Sequence, residues 1–263
     1  MRRFPTTAYS LLATFPNLFA AFMVFFCINA AHANNDKEAL RMSFAKGQVF
    51  SVIIPVTHKT PQGKAARKEY YDAAFPLASQ YGLKREGQIR INSSSSKQFN
   101  PKTMAFFSWP DQASENQLIA RAEWPNIKSL RPIAWEVLNI YSKELDKKLE
   151  LSFHPNKHYT LAMAWIKESH PEDYQQYLSN IEPAVKQAGG RFIYTMRSPQ
   201  YEAHGIHTQA PKGNRHAAPS QLTFVEWDTE DGLKAFQASE LFKQNAHRIK
   251  SGTDQFHLFR MHL

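Results

Sequence analysis

The stretch YLSNIEPAVKQAGGR, at Tyr177–Arg191, has an earlier counterpart in the chain, YYDAAFPLASQYGLK at Tyr70–Lys84. In each copy apolar side chains recur every three or four residues, which indicates the end of an amphipathic helix. A glycine, which tolerates the left-handed backbone of a helix terminus, then stands before a strand. The copies align without a gap and share four identities: Tyr70/Tyr177, Pro76/Pro183, Gln80/Gln187 and Gly82/Gly189. The repeat predicts two similar halves in tandem.

The elements around the two copies follow one order. In the first half we predict strands at 48–57, 84–91, 103–109 and 148–154, a helix at 64–81, and a helical stretch from 114 towards 145. In the second half we predict strands at 158–166, 191–197, 221–227 and 254–262, a helix behind the capping-box sequence Ser169–Glu172, and a helix from Asp228 or Thr229 to about 250. A polar, partly helical lead-in at 34–46 precedes them.

A doubled βαββαβ order predicts an α+β fold of two ferredoxin-like halves, 47–154 and 157–263. Helices cover one face of each antiparallel sheet, and the other face also carries apolar side chains that need cover. We therefore expect the two sheets to pack face to face as a single-chain α+β barrel. Two further matches support an internal duplication: Phe106/Trp109 with Phe224/Trp227, and Glu123/Arg131 with Glu240/Arg248.

The first 33 residues have the pattern of a secretory signal peptide. Arg2 and Arg3 precede an apolar run at Leu18–Ile28, and Ala31-His32-Ala33 is a small-x-small cleavage sequence. The alternative is an uncleaved anchor, but Pro16 and Asn17 leave the run short of the ~20 residues that span a bilayer. We predict cleavage after Ala33 and a periplasmic or secreted mature protein.

Composition narrows the partners of that mature chain. The only cysteine of the full sequence, Cys27, lies in the predicted signal peptide. The mature chain therefore has no thiol, which excludes disulfides, Cys-ligated metals and a Cys nucleophile. Without Arg2 and Arg3, the 32 Lys and Arg become 30, against 23 Asp and Glu, a net charge of +7. The basic residues are scattered, which argues against nucleic-acid binding. We expect a small-molecule ligand, no stable membrane insertion after cleavage, and a monomer or weak homodimer.

The second half resembles a bacterial family known as domain of unknown function 1330. The residues that carry the resemblance are Asp173-Tyr174 with Tyr177, Glu182-Pro183, Gly189-Gly190-Arg191, Glu226-Trp227, and Ser239-Glu240 with Arg248. The first half departs from the pattern at Leu83, where the second glycine would stand. The resemblance implies the dimeric α+β barrel superfamily, in which two chains normally pair. That superfamily includes cofactor-free monooxygenases, haem-degrading enzymes, isomerases and dehydratases, so fold alone does not assign an activity.

The second half also carries the candidate site residues. We expect a cavity lined mainly by this half, with Tyr177, His204, Glu226 and Arg248 as its nearest polar groups. Candidates for catalysis are His170, Glu226 and Arg248. The alternative, which we favour, is that His170 is a surface residue of the capping box. Because a carboxylate on a half-buried strand needs a partner, Glu226 could instead form a structural ion pair with Arg248 or Arg191.

Histidines cluster in the loop at 198–220. His204-x-x-His207 together with His216 could ligate a metal or haem iron, since imidazole binds both. The alternative is a solvated polar loop. We expect no cofactor, with haem as the alternative.

Two classes of function stay open. One is a small-ligand-binding or accessory module with an apolar barrel cavity. The other is a cofactor-independent monooxygenase or isomerase, or a haem-binding or haem-degrading enzyme, of the superfamily type. Sequence motifs of hydrolases, P-loop NTPases and dinucleotide-binding enzymes do not occur. An enzyme whose substrate supplies its own carbanion would need only a shaped apolar pocket and a few polar groups.

We predict that the mature protein begins at Asn34. Mass spectrometry of the protein recovered from the periplasm or medium checks this. A chain that still begins at Met1 and stays in the membrane fraction would show that the apolar run is an anchor.

Overall fold

The computed structural model of the protein describes residues 38–96, 99–205 and 218–263. The predicted signal peptide and residues 34–37 of the lead-in lie outside them. The elements up to residue 153 are β1 (Leu40–Phe44), β2 (Val49–Thr57), α1 (Pro61–Gln80), β3 (Lys84–Ser94), β4 (Thr103–Trp109), α2 (Gln112–Ile119), α3 (Trp124–Lys128), α4 (Arg131–Ala134), β5 (Trp135–Glu144) and β6 (Leu149–Phe153). The remaining elements are β7 (His158–Ile166), α5 (Pro171–Gln187), β8 (Gly190–Arg197), β9 (Gln200–Gly205), β10 (Gln221–Trp227), α6 (Gly232–Ala238), α7 (Glu240–Asn245), α8 (His247–Gly252) and β11 (Thr253–His262).

Two groups of four strands repeat one topology. We call β2 to β5 with their helices the first half, and β7 to β11 with theirs the second half. The repeated group of the second half is β7, β8, β10 and β11, and β9 is an additional strand. The first half orders its strands β3-β4-β2-β5, and the second orders its own β8-β10-β7-β11. In both, the first strand of the half lies between its third and fourth, and all neighbours are antiparallel. The predicted α+β fold of two ferredoxin-like halves is confirmed.

Two seams join the halves into a barrel. At one seam β11 pairs with β3, for example Met261 with Ile91. At the other, β9 pairs with β5, with Gln200 opposite Ser142. Only Ser198 and Pro199 separate β8 from β9. The two strands act as one bent strand, in which β8 pairs with β10 of the second half and β9 pairs with β5 of the first half. Ser198 has a φ of 46°, uncommon for a residue other than glycine, and the bend lies there.

The interior of the barrel is filled with side chains from both halves. Phe50, Phe106, Phe153 and Phe224 are each 0% exposed. The ring centroid of Phe106 lies 5.3 Å from that of Phe153 and 6.4 Å from that of Phe224. Phe153 belongs to a two-stranded ribbon, β1 with β6, whose apolar side chains join the same core. The ribbon therefore packs into the barrel.

Three predicted elements differ from the structure. The fourth strand of the first half is β5, in a segment that we predicted to be helical. Pro132 lies in the short helix α4, and the β-branched and aromatic residues of β5 then favour a strand. The predicted strand at 148–154 exists as β6, but it pairs with β1 and not with the main sheet. The lead-in, predicted to be partly helical, contains the strand β1.

The second half shows two smaller differences at helix termini. His170 is the N-cap of α5, and no side-chain capping bond forms there, so the predicted capping box is absent. Pro171, whose fixed φ suits the first helical turn, begins that helix. The single helix predicted up to about 250 is divided into α6, α7 and α8. Ser239 begins α7, where its hydroxyl accepts a hydrogen bond from the Phe242 N–H at 3.2 Å.

Glycine ends the first helix of each half, as the repeat predicts. Gly82 and Gly189 have φ values of 82° and 72°, in the left-handed region. Gly190 has a different role, since a Cβ atom there would lie 2.6 Å from the Trp227 ring. Of the helices in the described ranges, none has the length and apolar character that crossing a bilayer requires.

We predict that Phe153→Ala lowers the free energy of unfolding by about 3–5 kcal/mol, because it opens a cavity in the filled interior. Urea unfolding measures the change. Ile119→Ala, at a side chain 52% exposed, is the matched control and should change stability by less than about 0.5 kcal/mol. Equal effects of the two variants would show that the ribbon does not pack into the barrel.

Candidate functional site

The second half encloses a cavity between its sheet and its helices. Side chains alternate along β10, so Phe224 points into the barrel while Thr223 and Trp227 point outward, towards the helices. Those outward residues form the floor of a cavity of about 90 Å³, and α5 to α8 form its walls. We expected an apolar cavity inside the barrel. The described interior is instead packed with rings, and the cavity lies on the outer face of the sheet.

Two tyrosines of α5 line this cavity. Tyr174 is 0% exposed, and its hydroxyl has no hydrogen-bond partner among the described residues. Tyr177, one helical turn later, is 5% exposed, and its ring centroid lies 5.9 Å from that of Tyr174. Burial raises the pKa of both hydroxyls well above the ordinary value of 10.0. Both tyrosines are therefore protonated at neutral pH and can donate a hydrogen bond.

The polar groups on the sheet side of the cavity are already engaged. Trp227 Nε1 donates to Thr160 Oγ1 at 3.0 Å. Gln221 Nε2 donates to Thr223 Oγ1 at 2.7 Å. The remaining described lining is almost entirely aliphatic and aromatic. Gln237 also lines the cavity, from an exposed position on α6. Among the buried residues of the lining, the two tyrosines are the ones whose hydroxyls can orient a ligand.

Glu226 points to the opposite side of the sheet, at one end of the barrel. Arg191 Nε donates to its Oε1 at 2.8 Å, and the Tyr159 hydroxyl donates to its Oε2 at 3.2 Å. Arg191 is thus the ion-pair partner of Glu226. Arg248, the other predicted partner, lies elsewhere and bonds Asp173 through Nη1 at 3.3 Å.

The predicted histidines do not line the described cavity. His170 is exposed at the start of α5, with Nδ1 3.8 Å from Glu172. The backbone of His204 pairs with Leu138 in the seam between β9 and β5, and its side chain lies outside the described atoms. His207 and His216 lie outside the described residues. Of the four ligand-binding candidates, the structure brings Tyr177 to the cavity wall.

Sequence reasoning missed Tyr174 and Phe242 as cavity residues. The helical spacing does put Tyr174 on the same face as Tyr177. That spacing cannot distinguish a packed core from a cavity, because both need the same apolar side chains.

The described residues do not fit a metal ion, and the described cavity lining does not fit a haem. No group of three His, Cys, Asp or Glu side chains among them could hold a metal. The part of the cavity lining that is described contains neither imidazole nor thiol. Its two tyrosines are a less common type of haem ligand, and burial raises the pKa of their hydroxyls, which disfavours the phenolate that would bind iron.

No family model matches the chain, and no curated protein matches it. The resemblance to domain of unknown function 1330 therefore stays a prediction.

Solved structures do match the fold of this chain. An anthrone oxidase-like protein, 11% identical, aligns over 84% of this chain and 94% of its own, with a TM-score of 0.50. A provisionally named monooxygenase from Fusobacterium nucleatum is 13% identical over 83% of this chain and 93% of its own, with a TM-score of 0.41. A mutant chlorite dismutase from Candidatus Nitrospira defluvii is 8% identical over 84% of this chain and 93% of its own, with a TM-score of 0.40. At 11% identity, the similarity to the anthrone oxidase-like protein shows the fold alone.

We predict opposite effects from removing two buried tyrosine hydroxyls. Tyr174→Phe should raise the free energy of unfolding by about 1 kcal/mol, because it deletes an unsatisfied polar group. Tyr159→Phe should lower it by about 1–3 kcal/mol, since the Tyr159 hydroxyl accepts from the His154 N–H at 2.6 Å and donates to Glu226. Urea unfolding at pH 8 measures the free energy of unfolding of both variants and of the wild-type protein. Destabilisation by Tyr174→Phe equal to that by Tyr159→Phe would mean that the Tyr174 hydroxyl is already bonded.

Proposed function

We propose that the protein binds a small, mainly apolar molecule in the cavity of the second half. The observation that carries this is that Tyr174, in the wall of an apolar cavity, has a buried hydroxyl without a hydrogen-bond partner among the described residues. We further propose that the second half belongs to the family of domain of unknown function 1330. The chain would arise by duplication, be exported with cleavage after Ala33, and act as a monomer, because it supplies both halves of its barrel.

Two energetic terms favour a ligand at this place. Apolar surface removed from water contributes about 25 cal/mol per Å², and the aliphatic and aromatic lining offers such surface. An unpaired buried hydroxyl costs about 1–3 kcal/mol, and a ligand atom that accepts a hydrogen bond from Tyr174 would recover part of that cost. A molecule with an apolar body and one polar atom satisfies both terms.

A second candidate is a cofactor-independent monooxygenase or isomerase. It is supported by the two protonated tyrosine hydroxyls, which could stabilise negative charge developing on a substrate oxygen in an apolar site. The fold shared with the anthrone oxidase-like protein makes anthrone a reasonable probe. Oxygen uptake upon adding anthrone, abolished by Tyr174→Phe, would favour oxygenation over binding alone. The described cavity lining does not support a haem-binding or haem-degrading role.

We predict that toluene stabilises the wild-type protein against heat and that Ala162→Phe abolishes this effect. Ala162 lies on the cavity floor, where a phenyl group would take up the free space. At ten times the dissociation constant, toluene should add about 1.4 kcal/mol to the free energy of unfolding. Differential scanning calorimetry measures it.

Ala113→Phe makes the same change at an exposed residue of α2 and should leave the toluene effect intact. Circular dichroism confirms that both variants are folded. A wild-type protein that toluene does not stabilise would contradict the proposed function.

A further inference from the structure

The two halves can be compared residue by residue behind their third strands. β10 and β11 each begin 118 residues after their first-half counterparts, at Gln221 against Thr103 and at Thr253 against Trp135. The segments between third and fourth strands therefore have equal length. Arg131 corresponds to Ile249, one residue away from the Arg248 of the sequence alignment.

The same register makes Trp124 the counterpart of Phe242. In the first helices, the gapless alignment of the repeat makes Tyr70 the counterpart of Tyr177. Tyr177, Phe242 and Ile249 all line the second-half cavity. Their first-half counterparts therefore show what the same position contains in the other half.

In the first half, that position is filled by a flat group from the chain itself. Arg131 is 4% exposed, and its Cζ lies 5.3 Å from the ring centroid of Tyr70 and 5.3 Å from that of Trp124. Its Nε and Nη2 donate to the Tyr70 hydroxyl at 3.0 and 2.8 Å. Its Nη1 pairs with Glu202 at 2.9 Å. The planar guanidinium thus contacts two aromatic rings and donates hydrogen bonds to a tyrosine oxygen.

In the second half, the described residues do not fill the corresponding space. Ile249 replaces Arg131 and is too short to reach the tyrosine hydroxyl as a guanidinium does. No carboxylate equivalent to that of Glu202 occurs among the described residues of the cavity lining. A group that occupies this space must therefore come from a ligand, and an uncharged ligand suits it better than a cation.

We infer that the cavity takes a flat, uncharged aromatic molecule with a hydroxyl at its edge, a ligand of the phenol class. The ligand ring contacts Tyr177 and Phe242, as the Arg131 guanidinium contacts Tyr70 and Trp124. The ligand hydroxyl donates to the Tyr177 oxygen and accepts from the Tyr174 hydroxyl. A phenolic group does both with one atom. This inference rests on the proposed function, since it specifies the ligand of the same cavity.

Three probes of similar size test the inference by isothermal titration calorimetry. Phenol is flat and carries a hydroxyl, toluene is flat without one, and cyclohexanol carries a hydroxyl on a puckered ring. We expect phenol to bind about 5- to 10-fold more tightly than toluene, the value of one net hydrogen bond. We expect cyclohexanol to bind at least about 5-fold more weakly than phenol because it loses ring stacking.

Tyr177→Phe should lower the affinity for phenol to that for toluene and leave toluene unchanged. Tyr71→Phe, at a tyrosine of α1 in the first half that is 42% exposed, is the matched control and should change neither. Toluene binding to Tyr177→Phe shows that this variant retains a folded cavity.

Each outcome decides one of the two claims. If phenol binds no better than toluene or cyclohexanol, or if Tyr177→Phe leaves the preference for phenol intact, the ligand class is wrong while the cavity remains a binding site. If toluene does not bind to the wild-type protein, the proposed function itself is wrong, because toluene needs only the apolar cavity.

Discussion

Both faces of the barrel strands are apolar, and the architecture is determined by the need to shield both faces from water. Every residue of β10, for example, is buried. On its inner face, Phe224 packs against rings of the first half and of the β1–β6 ribbon. On its outer face, Val225 and Trp227 pack under the helices of the second half. Neither half alone could cover its inner face, so the two depend on each other.

Closure of the barrel and filling of the first half are coupled through Glu202, which forms ion pairs with Lys128 and Arg131. Glu202 lies on β9, in the second half, and contacts Arg131 of the first half. The same strand supplies the seam with β5. Because Arg131 is buried against Tyr70 and Trp124, its charge needs that carboxylate. The bend at Ser198 therefore places β9 where it closes the barrel and where Glu202 compensates the buried charge of Arg131.

The halves share a topology but differ in how their helices meet the sheet. Trp124, Arg131 and Trp135 fill the first half. In the second half, Phe242, Ile249 and Thr253 stand at the corresponding positions, and a cavity remains next to Tyr174 and Tyr177. A few large-to-small differences at equivalent positions thus separate a packed core from a candidate binding site. The scaffold is common to both, and side-chain volume decides which half can take a ligand.

Local sequence patterns were sufficient for the features that depend on neighbours along the chain. The helix–glycine–strand repeat, the left-handed Gly82 and Gly189, and the four main strands of the second half follow from periodicity and backbone sterics. The position of Tyr177 on a buried helical face follows in the same way. Each of these properties is set within a few residues.

Tertiary structure decided whatever depends on residues that are distant in sequence. It paired β6 with β1 and assigned Arg191, not Arg248, to Glu226. It also placed the cavity outside the barrel, because the rings of both halves and of the ribbon meet in the interior. The chemistry of a strand, a carboxylate or a tyrosine limits the contacts that it can make. Which contact forms depends on packing, since side chains that are far apart in the chain compete for the same volume.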